Sequence, residues 1–257
     1  MKFCVLGSGS RGNSVLVKTP KACLLIDSGF SGAETITRLE QAGYSPEQVD
    51  AILISHEHID HIRSVKILHE KYNISLFANR STANAVRKIL KTKLSFKIFL
   101  TNRPFLFKDI VVEPFSVFHD AAEPVGFTFK HNNLKLSIAT DLGFPSSAVK
   151  EKMKDSDFIV LESNHDEEML MKSRRPHVLK KRILGRHGHL SNTSAGNLLS
   201  HLLHGNLQKV ILAHLSQECN RPKLALDTIQ HIVSQEDIPF PKIETAFQDR
   251  ISPLYTA

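Results

Sequence analysis

The sequence predicts an α/β protein in which strands and helices form the layers of a sandwich. Short apolar runs such as KFCVL, SVLVK and AILIS are typical of strands, and helix signals follow several of them. The same order recurs in the second half of the chain. No repeat, low-complexity tract or Pro/Gly-rich linker interrupts the 257 residues, so we predict a single domain over residues 1–257.

The elements of the first half are predicted from local patterns. Ser31 and Glu34 have capping-box spacing and Gly43 ends the helical pattern, which predicts a helix from 31 to about 42. Strands are expected at KFCVL, SVLVKT, ACLLID and AILIS, with two more at 74–78 and 95–99. Further helices are expected at about 62–72 and 81–91.

The second half continues with strand-like runs and three more helices. The strands are expected at DIVVEPFSVF, VGFTFK, LKLSIATD, DFIVLES, KVILAHL and near 243–247. The helices are expected at about 145–154, from about Ser191, and from Pro222 to about Ser234. The basic segment between DFIVLES and Ser191 receives no element.

Cysteine usage and the lengths of the apolar runs predict a cytoplasmic protein. Cys4, Cys23 and Cys219 are an odd number without paired spacing, as expected for reduced thiols. The apolar run before Gly7 is too short for a signal peptide. No apolar stretch approaches the roughly 18 residues of a membrane span, so no membrane partner is expected.

Positive charge is concentrated in one part of the chain. The net charge is +7, and no Asp or Glu occurs between Glu168 and Glu218. This stretch carries Lys172, Arg174, Arg175, Lys180, Lys181, Arg182, Arg186 and Lys209. All of these except Lys209 are predicted contacts to a nucleic acid, since electrostatic contacts to phosphates dominate nucleic-acid affinity. A solvated basic face is the alternative interpretation.

The run HEHIDH directly after the strand AILIS predicts a metal site. His56, His58, Asp60 and His61 fall within six positions at the end of a strand, where several side chains can converge. Burying so many titratable groups without a metal would cost several kcal/mol. These four residues cannot fill two coordination shells. His119, Asp141 and His214, which each close an apolar run, are the candidates for the remaining ligands.

The chain resembles the metallo-β-lactamase superfamily. The succession LIDSG, HEHIDH, FHD, ATDLG and LAHLS looks like its five motifs and spans residues from about 3 to 215. The segments LGSGSRGNS, ESNHD and GHLSN are similar to its YycJ (WalJ) branch, whose members resemble single-domain DNA exonucleases. The resemblance implies an αββα four-layer sandwich and a 5′-to-3′ preference for DNA.

The resemblance also implies a ligand set for two divalent ions. His56, His58 and His119 would hold the first ion, and the second would be held by Asp60, His61 and His214. Asp141 would bridge both ions, while Asp27 would support the histidine loop. Nitrogen and oxygen ligands suit Zn²⁺, Mn²⁺ or Fe²⁺.

This ligand set would support hydrolysis of a phosphodiester by a hydroxide shared between the ions. Asp60 is expected to orient the hydroxide, and His165 or His189 to assist the leaving group. The glycine-rich GSGSRGNS is interpreted as a turn between strands, and no organic cofactor is expected.

Other functions remain open because the same metal site serves several substrates. A thioester hydrolase of the glyoxalase II type would share the HxHxDH run, and an RNA-processing nuclease is also possible. A metal-stabilised nucleic-acid-binding module without activity is the alternative from a different class. β-Lactam hydrolysis is disfavoured by the basic charge and the missing secretory signal.

Overall fold

Strands and helices alternate along the chain in the computed structural model, which describes residues 1–239 and 241–256. The strands are β1 (Lys2–Gly7), β2 (Ser14–Lys18), β3 (Cys23–Ile26), β4 (Ala51–Leu53), β5 (Ser75–Ala78), β6 (Lys97–Ile98), β7 (Phe105–Phe107), β8 (Ile110–Ser116), β9 (Val125–His131), β10 (Leu134–Ala139), β11 (Phe158–Glu162), β12 (Lys209–Ala213), β13 (Lys242–Thr245) and β14 (Tyr255–Thr256). The helices are α1 (Gly32–Gln41), α2 (Ile59–Ile62), α3 (Val65–Tyr72), α4 (Arg80–Ile89), α5 (Ser147–Met153), α6 (Glu167–Lys172), α7 (His177–Leu184), α8 (Asn192–Leu202) and α9 (Pro222–Val233).

Contacts divide the chain into two compact units. Unit 1 comprises Met1–Pro114, Ala121–Val125 and the chain from Phe247 onward. Unit 2 comprises Phe115–Asp120 and Gly126–Ala246. The description of the whole chain as one domain stays a prediction.

Unit 1 is built on a mixed sheet in the order β14-β1-β2-β3-β4-β5-β6. Strands β1 to β3 pair antiparallel, and β3 to β6 pair parallel. Helices α1, α3 and α4 place Leu39, Leu68 and Val86 in one apolar core with Leu25 and Ile52 of the sheet. Burying each such side chain contributes about 1.5 to 3 kcal/mol, so this core holds the sheet and its helices together.

Unit 2 contains five strands that are neighbours in one sheet, in the order β13-β12-β11-β10-β9. Strands β9 and β10 pair antiparallel, and β10 to β13 pair parallel. Helices α5, α8 and α9 contribute Val149, Leu199 and Ile229 to a core that includes Ile159 and Leu212 of the sheet. Each unit therefore has its own apolar core.

Parallel pairing brings the polar candidates together at strand ends. In unit 1, Asp27 follows β3 and His56 lies just beyond β4, its parallel neighbour. In unit 2, Asp141 follows β10, Glu162 ends β11 and His214 follows β12. The carboxyl ends of parallel strands meet at one edge of a sheet, and this edge is where ligands bind in α/β proteins.

Three of these residues have a left-handed backbone. The φ angles are 61° at Asp27, 55° at Asp141 and 55° at His214. Asp and His tolerate this region better than most residues other than glycine. A left-handed backbone at a residue other than glycine costs on the order of 1 to 3 kcal/mol and persists only where the surrounding structure fixes it. The contacts of the three side chains must therefore help to hold these strand ends.

The helix after Ser31 is confirmed, with the Ser31 hydroxyl accepting from the Glu34 amide. The helix expected at 62–72 is divided into α2 and α3 at Ser64. The sequence did not predict β7, β14, α6 or α7. Helix α7 buries only Ile183, so it lacks the apolar periodicity on which helix prediction depends.

The environment of the three cysteines agrees with the prediction from the sequence. Cys4, Cys23 and Cys219 are free thiols buried in the interior, as expected for reduced core residues. Burial raises the pKa of both the Cys4 and the Cys23 thiol to about 11. Within residues 1–239 and 241–256, no helix has the length and apolar character that crossing a bilayer requires.

Candidate metal centre

The histidine loop of unit 1 brings three imidazole rings together. The loop follows β4, and His58 is the N-cap of α2, the short helix that carries Asp60 and His61. The ring centroids of His56 and His58 are 4.6 Å apart, and those of His56 and His61 are 4.0 Å apart. The loop therefore gathers the potential ligands that the HEHIDH run predicted.

Asp27 fixes the orientation and tautomer of two of these histidines. Its carboxylate accepts from the Ser55 amide at 2.8 Å, the Ser55 hydroxyl at 2.7 Å and His61 Nδ1 at 2.8 Å. Because the Ser55 proton is committed to Asp27, the Ser55 oxygen accepts from His56 Nδ1 at 2.9 Å. Both histidines thus carry their proton on Nδ1, so that Nε2 of each has the electron pair that a metal ion could bind.

Asn13 is a residue of this site that sequence reasoning missed. Its Nδ2 lies 3.1 Å from His61 Nε2 and 3.3 Å from Asp60 Oδ2, while its backbone amide donates to the Asp60 carbonyl at 2.8 Å. The Gly9 amide donates to Asn13 Oδ1 at 2.9 Å and fixes the side chain. The GSGSRGNS segment is a turn between β1 and β2, as predicted, and it also supports the histidine loop.

Unit 2 is organised around Glu162, a fully buried carboxylate to which sequence reasoning gave no role. It accepts from His214 Nδ1 at 2.7 Å and from His189 Nδ1 at 2.9 Å. The backbone amides of Leu142 and Leu190 donate to its other oxygen at 2.9 Å and 3.0 Å. One side chain thus ties the segments after β10 and β12 to the loop before α8.

Glu162 is ionised despite its burial. Burial raises its pKa, but the charges and hydrogen bonds of His189 and His214 outweigh that effect and lower the pKa to about 2. A carboxylate only accepts, so His189 and His214 donate to it from Nδ1. Burial lowers the pKa of His189, but the Glu162 charge and hydrogen bond reverse this, and the net pKa is raised.

His119 and Asp141 complete the polar cluster of unit 2. His119 Nδ1 donates to the Gly188 carbonyl at 3.0 Å, and its Nε2 lies 3.5 Å from Asp141 Oδ1. Burial lowers the pKa of His119, which favours the neutral imidazole that metals bind. Ligand atoms of Asp141, Glu162, His189 and His214 all lie within 4.8 Å of one another.

The side chains gathered in each unit are of types that bind divalent metal ions. In unit 2, Asp141, Glu162, His189 and His214 combine imidazole nitrogens with carboxylate oxygens. The histidine loop of unit 1 supplies imidazoles and the Asp60 carboxylate. The Nδ1 atoms of His56, His61, His119 and His214 all bond to a hydroxyl, carboxylate or carbonyl oxygen. Histidines that bind metals almost always have such a partner, which leaves the other ring nitrogen for the ion.

The two candidate acids have different environments. His165 is 1% exposed, and burial lowers its pKa to about 4. Among the described residues, neither of its ring nitrogens has a hydrogen-bond partner. The side chain of His189 is 22% exposed and lies between His119 and His214, with ring centroids 5.1 Å from each. Of these two histidines, only His189 is accessible to a substrate.

The stretch that lacks acidic residues is partly neutralised by residues from elsewhere in unit 2. Arg175 pairs with Glu218, Arg182 with Asp120, Lys172 with Glu168 and Lys209 with Glu244. Lys180 donates to the Met171 carbonyl at 2.6 Å. The described part of the chain shows no carboxylate within ion-pair distance of Arg174, Lys181 or Arg186, so these are the stronger candidates for phosphate contacts.

These features occur in a known class of metal-dependent hydrolases. Residues 7–136 match the family model of the metallo-β-lactamase superfamily, and the chain belongs to this superfamily. It is 38% identical to the exodeoxyribonuclease YycJ of Bacillus anthracis over 239 residues, 92% of this chain and 90% of the relative. It is 37% identical to the exodeoxyribonuclease WalJ of Streptococcus pneumoniae D39 over 241 residues, with the same coverages. The predicted YycJ (WalJ) branch is therefore confirmed.

Solved structures show the same fold. The metallo-β-lactamase fold protein YhfI of Bacillus subtilis has a TM-score of 0.75 at 15% identity and covers 98% of both chains. The short form of human tRNase Z has a TM-score of 0.67 at 16% identity and covers 100% of both chains. The predicted α/β sandwich class of the metallo-β-lactamase fold is confirmed.

Proposed function

We propose that the protein is an exodeoxyribonuclease that hydrolyses phosphodiester bonds with two divalent ions. The observation that carries this proposal is the set of histidines whose Nδ1 atoms are already bonded, in a chain 37–38% identical to two exodeoxyribonucleases. Following the superfamily motifs, we assign the ligands as His56, His58 and His119 for one ion, Asp60, His61 and His214 for the other, and Asp141 for both.

The ions, when bound, activate water and neutralise phosphate oxygens. Asp60 accepts a hydrogen bond from Asn13, which limits its rotation, and we assign it the orientation of the attacking oxygen. Glu162 holds His189 through Nδ1, which leaves Nε2 to meet the leaving oxygen. We therefore favour His189 over the buried His165 for assistance to the leaving group.

The proposal also concerns which metal ion is bound and whether the substrate is DNA or RNA. Zn²⁺, Mn²⁺ and Fe²⁺ all suit a donor set of imidazoles and carboxylates. The chain is also 34% identical over 73 residues to the ribonuclease TTHA0252 of Thermus thermophilus, which supports RNA as the second candidate substrate. That match covers 28% of this chain, against 92% for the DNA enzymes, so DNA is favoured.

A substrate panel tests the proposed function. The purified protein is stripped of metal, reloaded separately with Zn²⁺, Mn²⁺ or Fe²⁺, and given end-labelled single- and double-stranded DNA, RNA and a glutathione thioester. We expect stepwise shortening of DNA from the 5′ end, and loss of this activity with a chelator. Cleavage of the thioester alone would support a glyoxalase II type hydrolase, and RNA cleavage alone an RNA-processing enzyme. Either result would refute the DNA exonuclease.

Two basic side chains should account for part of the salt dependence of binding. Arg174 and Lys181 are exposed. Replacing both with Ala should reduce the slope of log affinity against log salt for single-stranded DNA by about 1.4, because each phosphate contact contributes about 0.7. Fluorescence anisotropy at several salt concentrations measures this slope. The matched control is Lys223→Ala, which removes an exposed lysine already paired with Asp227. An unchanged slope in the double variant would exclude these contacts.

We also infer that the protein acts in the cytoplasm as a single domain. Three buried free thiols support a reducing compartment, since disulfides are rare there. The match to the two exodeoxyribonucleases extends over 92% of the chain and includes most of both units, which supports one functional domain.

A further inference from the structure

Three segments of unit 2 that carry candidate site residues also form an aromatic and cationic cluster. Phe118 directly precedes His119, Phe144 follows Asp141 by three positions, and Arg186 precedes His189 by three. The Arg186 Cζ atom lies 4.3 Å from the Phe118 ring centroid and 4.6 Å from that of Phe144. We call Phe118, Phe144 and Arg186 the stacking cluster.

The stacking cluster is fixed to the backbone that positions His119. The Gly143 amide donates to the Phe118 carbonyl at 2.8 Å, and His119 Nδ1 donates to the Gly188 carbonyl at 3.0 Å. A Cβ atom on Gly143 would come within 2.4 Å of the Arg186 carbonyl oxygen and 2.6 Å of the Gly188 nitrogen. Only glycine allows this close approach, so the cluster has a defined position beside the candidate ligands.

Arg186 carries a charge that the protein does not neutralise by an ion pair. In the described part of the chain, no carboxylate lies within ion-pair distance of its guanidinium, whereas Arg175 pairs with Glu218 and Arg182 with Asp120. Aromatic faces stabilise a guanidinium by cation–π attraction and leave its N–H edge available. That edge suits the oxygens of a phosphate.

Phe144 presents an aromatic surface to solvent. Its side chain is 41% exposed, and its ring meets Phe118 nearly edge-on, with centroids 6.0 Å apart and an interplanar angle of 81°. Exposed aromatic rings beside basic groups are the means by which proteins bind single strands of nucleic acid, because any base can stack on them. A duplex offers such a ring only the outer face of its terminal base pair, whereas an unpaired terminal base is free to turn onto the ring.

We propose that the stacking cluster holds the terminal nucleotide of a single-stranded DNA end. The terminal base stacks on Phe144, the Arg186 guanidinium binds an adjoining phosphate, and Phe118 supports the guanidinium. This inference rests on the proposed function and specifies its substrate as an unpaired end. It also explains why an unpaired arginine and an exposed phenylalanine stand beside His119 and His189.

Binding of a fluorescent oligonucleotide to the metal-loaded protein tests the cluster separately from cleavage. The probe is single-stranded DNA with phosphorothioate linkages, which slow hydrolysis, and with 2-aminopurine at the 5′ or, in a second probe, the 3′ terminus. The chain has no tryptophan, so the probe emission can be followed without indole background. We expect one of the two probes to be quenched on binding. Phe144→Ala should remove the quenching and weaken binding about fivefold or more.

Two further variants separate stacking from charge and from folding. Phe144→Tyr should keep both quenching and affinity, whereas Arg186→Lys should weaken binding because it keeps the charge but loses the planar stack. The control is Val178→Ala, which truncates an 81% exposed side chain in the same basic segment and should bind as the unmodified protein does.

An oligonucleotide with an abasic terminal residue provides the decisive comparison. The unmodified protein should bind it about as weakly as Phe144→Ala binds the intact strand. Equal affinity of the unmodified protein for abasic and intact ends, with normal DNA shortening, would overturn the stacking cluster and leave the proposed function standing. Base-dependent binding without cleavage of any DNA would support the cluster and refute the exonuclease.

Discussion

Replacing Glu162 with Gln should weaken metal binding about 10- to 100-fold, the range expected when a partner that orients metal ligands is lost. Glu162 accepts five hydrogen bonds, from His189, His214 and the backbone amides of Asp141, Leu142 and Leu190. A glutamine amide has two donor hydrogens on one of its terminal atoms, so at least one of these donors would face another donor. Competition with a chelator of known affinity measures the change.

The same substitution should lower the stability of the metal-free protein by about 1 to 3 kcal/mol, because a buried donor is left unsatisfied. Urea unfolding in the presence of a chelator measures this part alone. The matched control is Glu168→Gln, which removes the same charge from an exposed side chain, 74% accessible, that pairs with Lys172. Unchanged metal affinity in Glu162→Gln would show that Glu162 serves folding and not the metal centre.

The buried carboxylates of Asp27 and Glu162 show which site residues sequence patterns predict and which they miss. Asp27 was predicted because it lies in LIDSG, which matches a family motif. Glu162 has the corresponding role in unit 2, but it is the last residue of the buried strand β11. The signal was present as an acid in the apolar run FIVLE, since a buried carboxylate must be compensated by donors. Those donors come from β-strand ends and loops 20 to 52 positions away, which no local pattern reveals.

Distance along the chain also limited the charge prediction. Seven of the eight basic residues in the stretch were expected to contact a nucleic acid because the stretch contains no acidic residue. Folding brings Glu218 to Arg175 and Asp120 to Arg182, across 43 and 62 positions. Arg186 remains without such a partner in the described part of the chain and stacks on two phenylalanine rings instead. Local composition thus located the positive surface, but tertiary contacts decide which charges remain available.

Most strands and the helix α1 were predictable because their patterns are local. An apolar run bounded by turn residues predicts a strand from its own sequence. Ser31 predicts the start of α1 because its hydroxyl caps the helix through a hydrogen bond from the Glu34 amide, three residues later. Helices α6 and α7 bury few apolar side chains, so they show no clear period. The left-handed residues Asp141 and His214 were proposed as ligands from their type and position, but their backbone conformation was not predictable from either.

Replacing Asp27 with Asn should weaken metal binding by a similar 10- to 100-fold through His61. Asn tolerates the left-handed backbone at this position, so the variant tests the carboxylate and not the turn. An amide cannot accept from Ser55 and His61 as the carboxylate does, and the His61 tautomer is no longer fixed. Asp50→Asn is the control, because it makes the same change at the opposite end of β4.

The double variant Asp27→Asn, Glu162→Gln tests whether both carboxylates serve one two-metal centre. Effects of independent sites add in free energy, whereas residues that act as a unit show effects well below the sum. We expect DNA hydrolysis by the double variant to be nearly as slow as that of the slower single variant. Metal analysis should at the same time show fewer than two bound ions per chain. Fully additive losses of activity would contradict a shared centre and would assign His61 and His214 to separate ions.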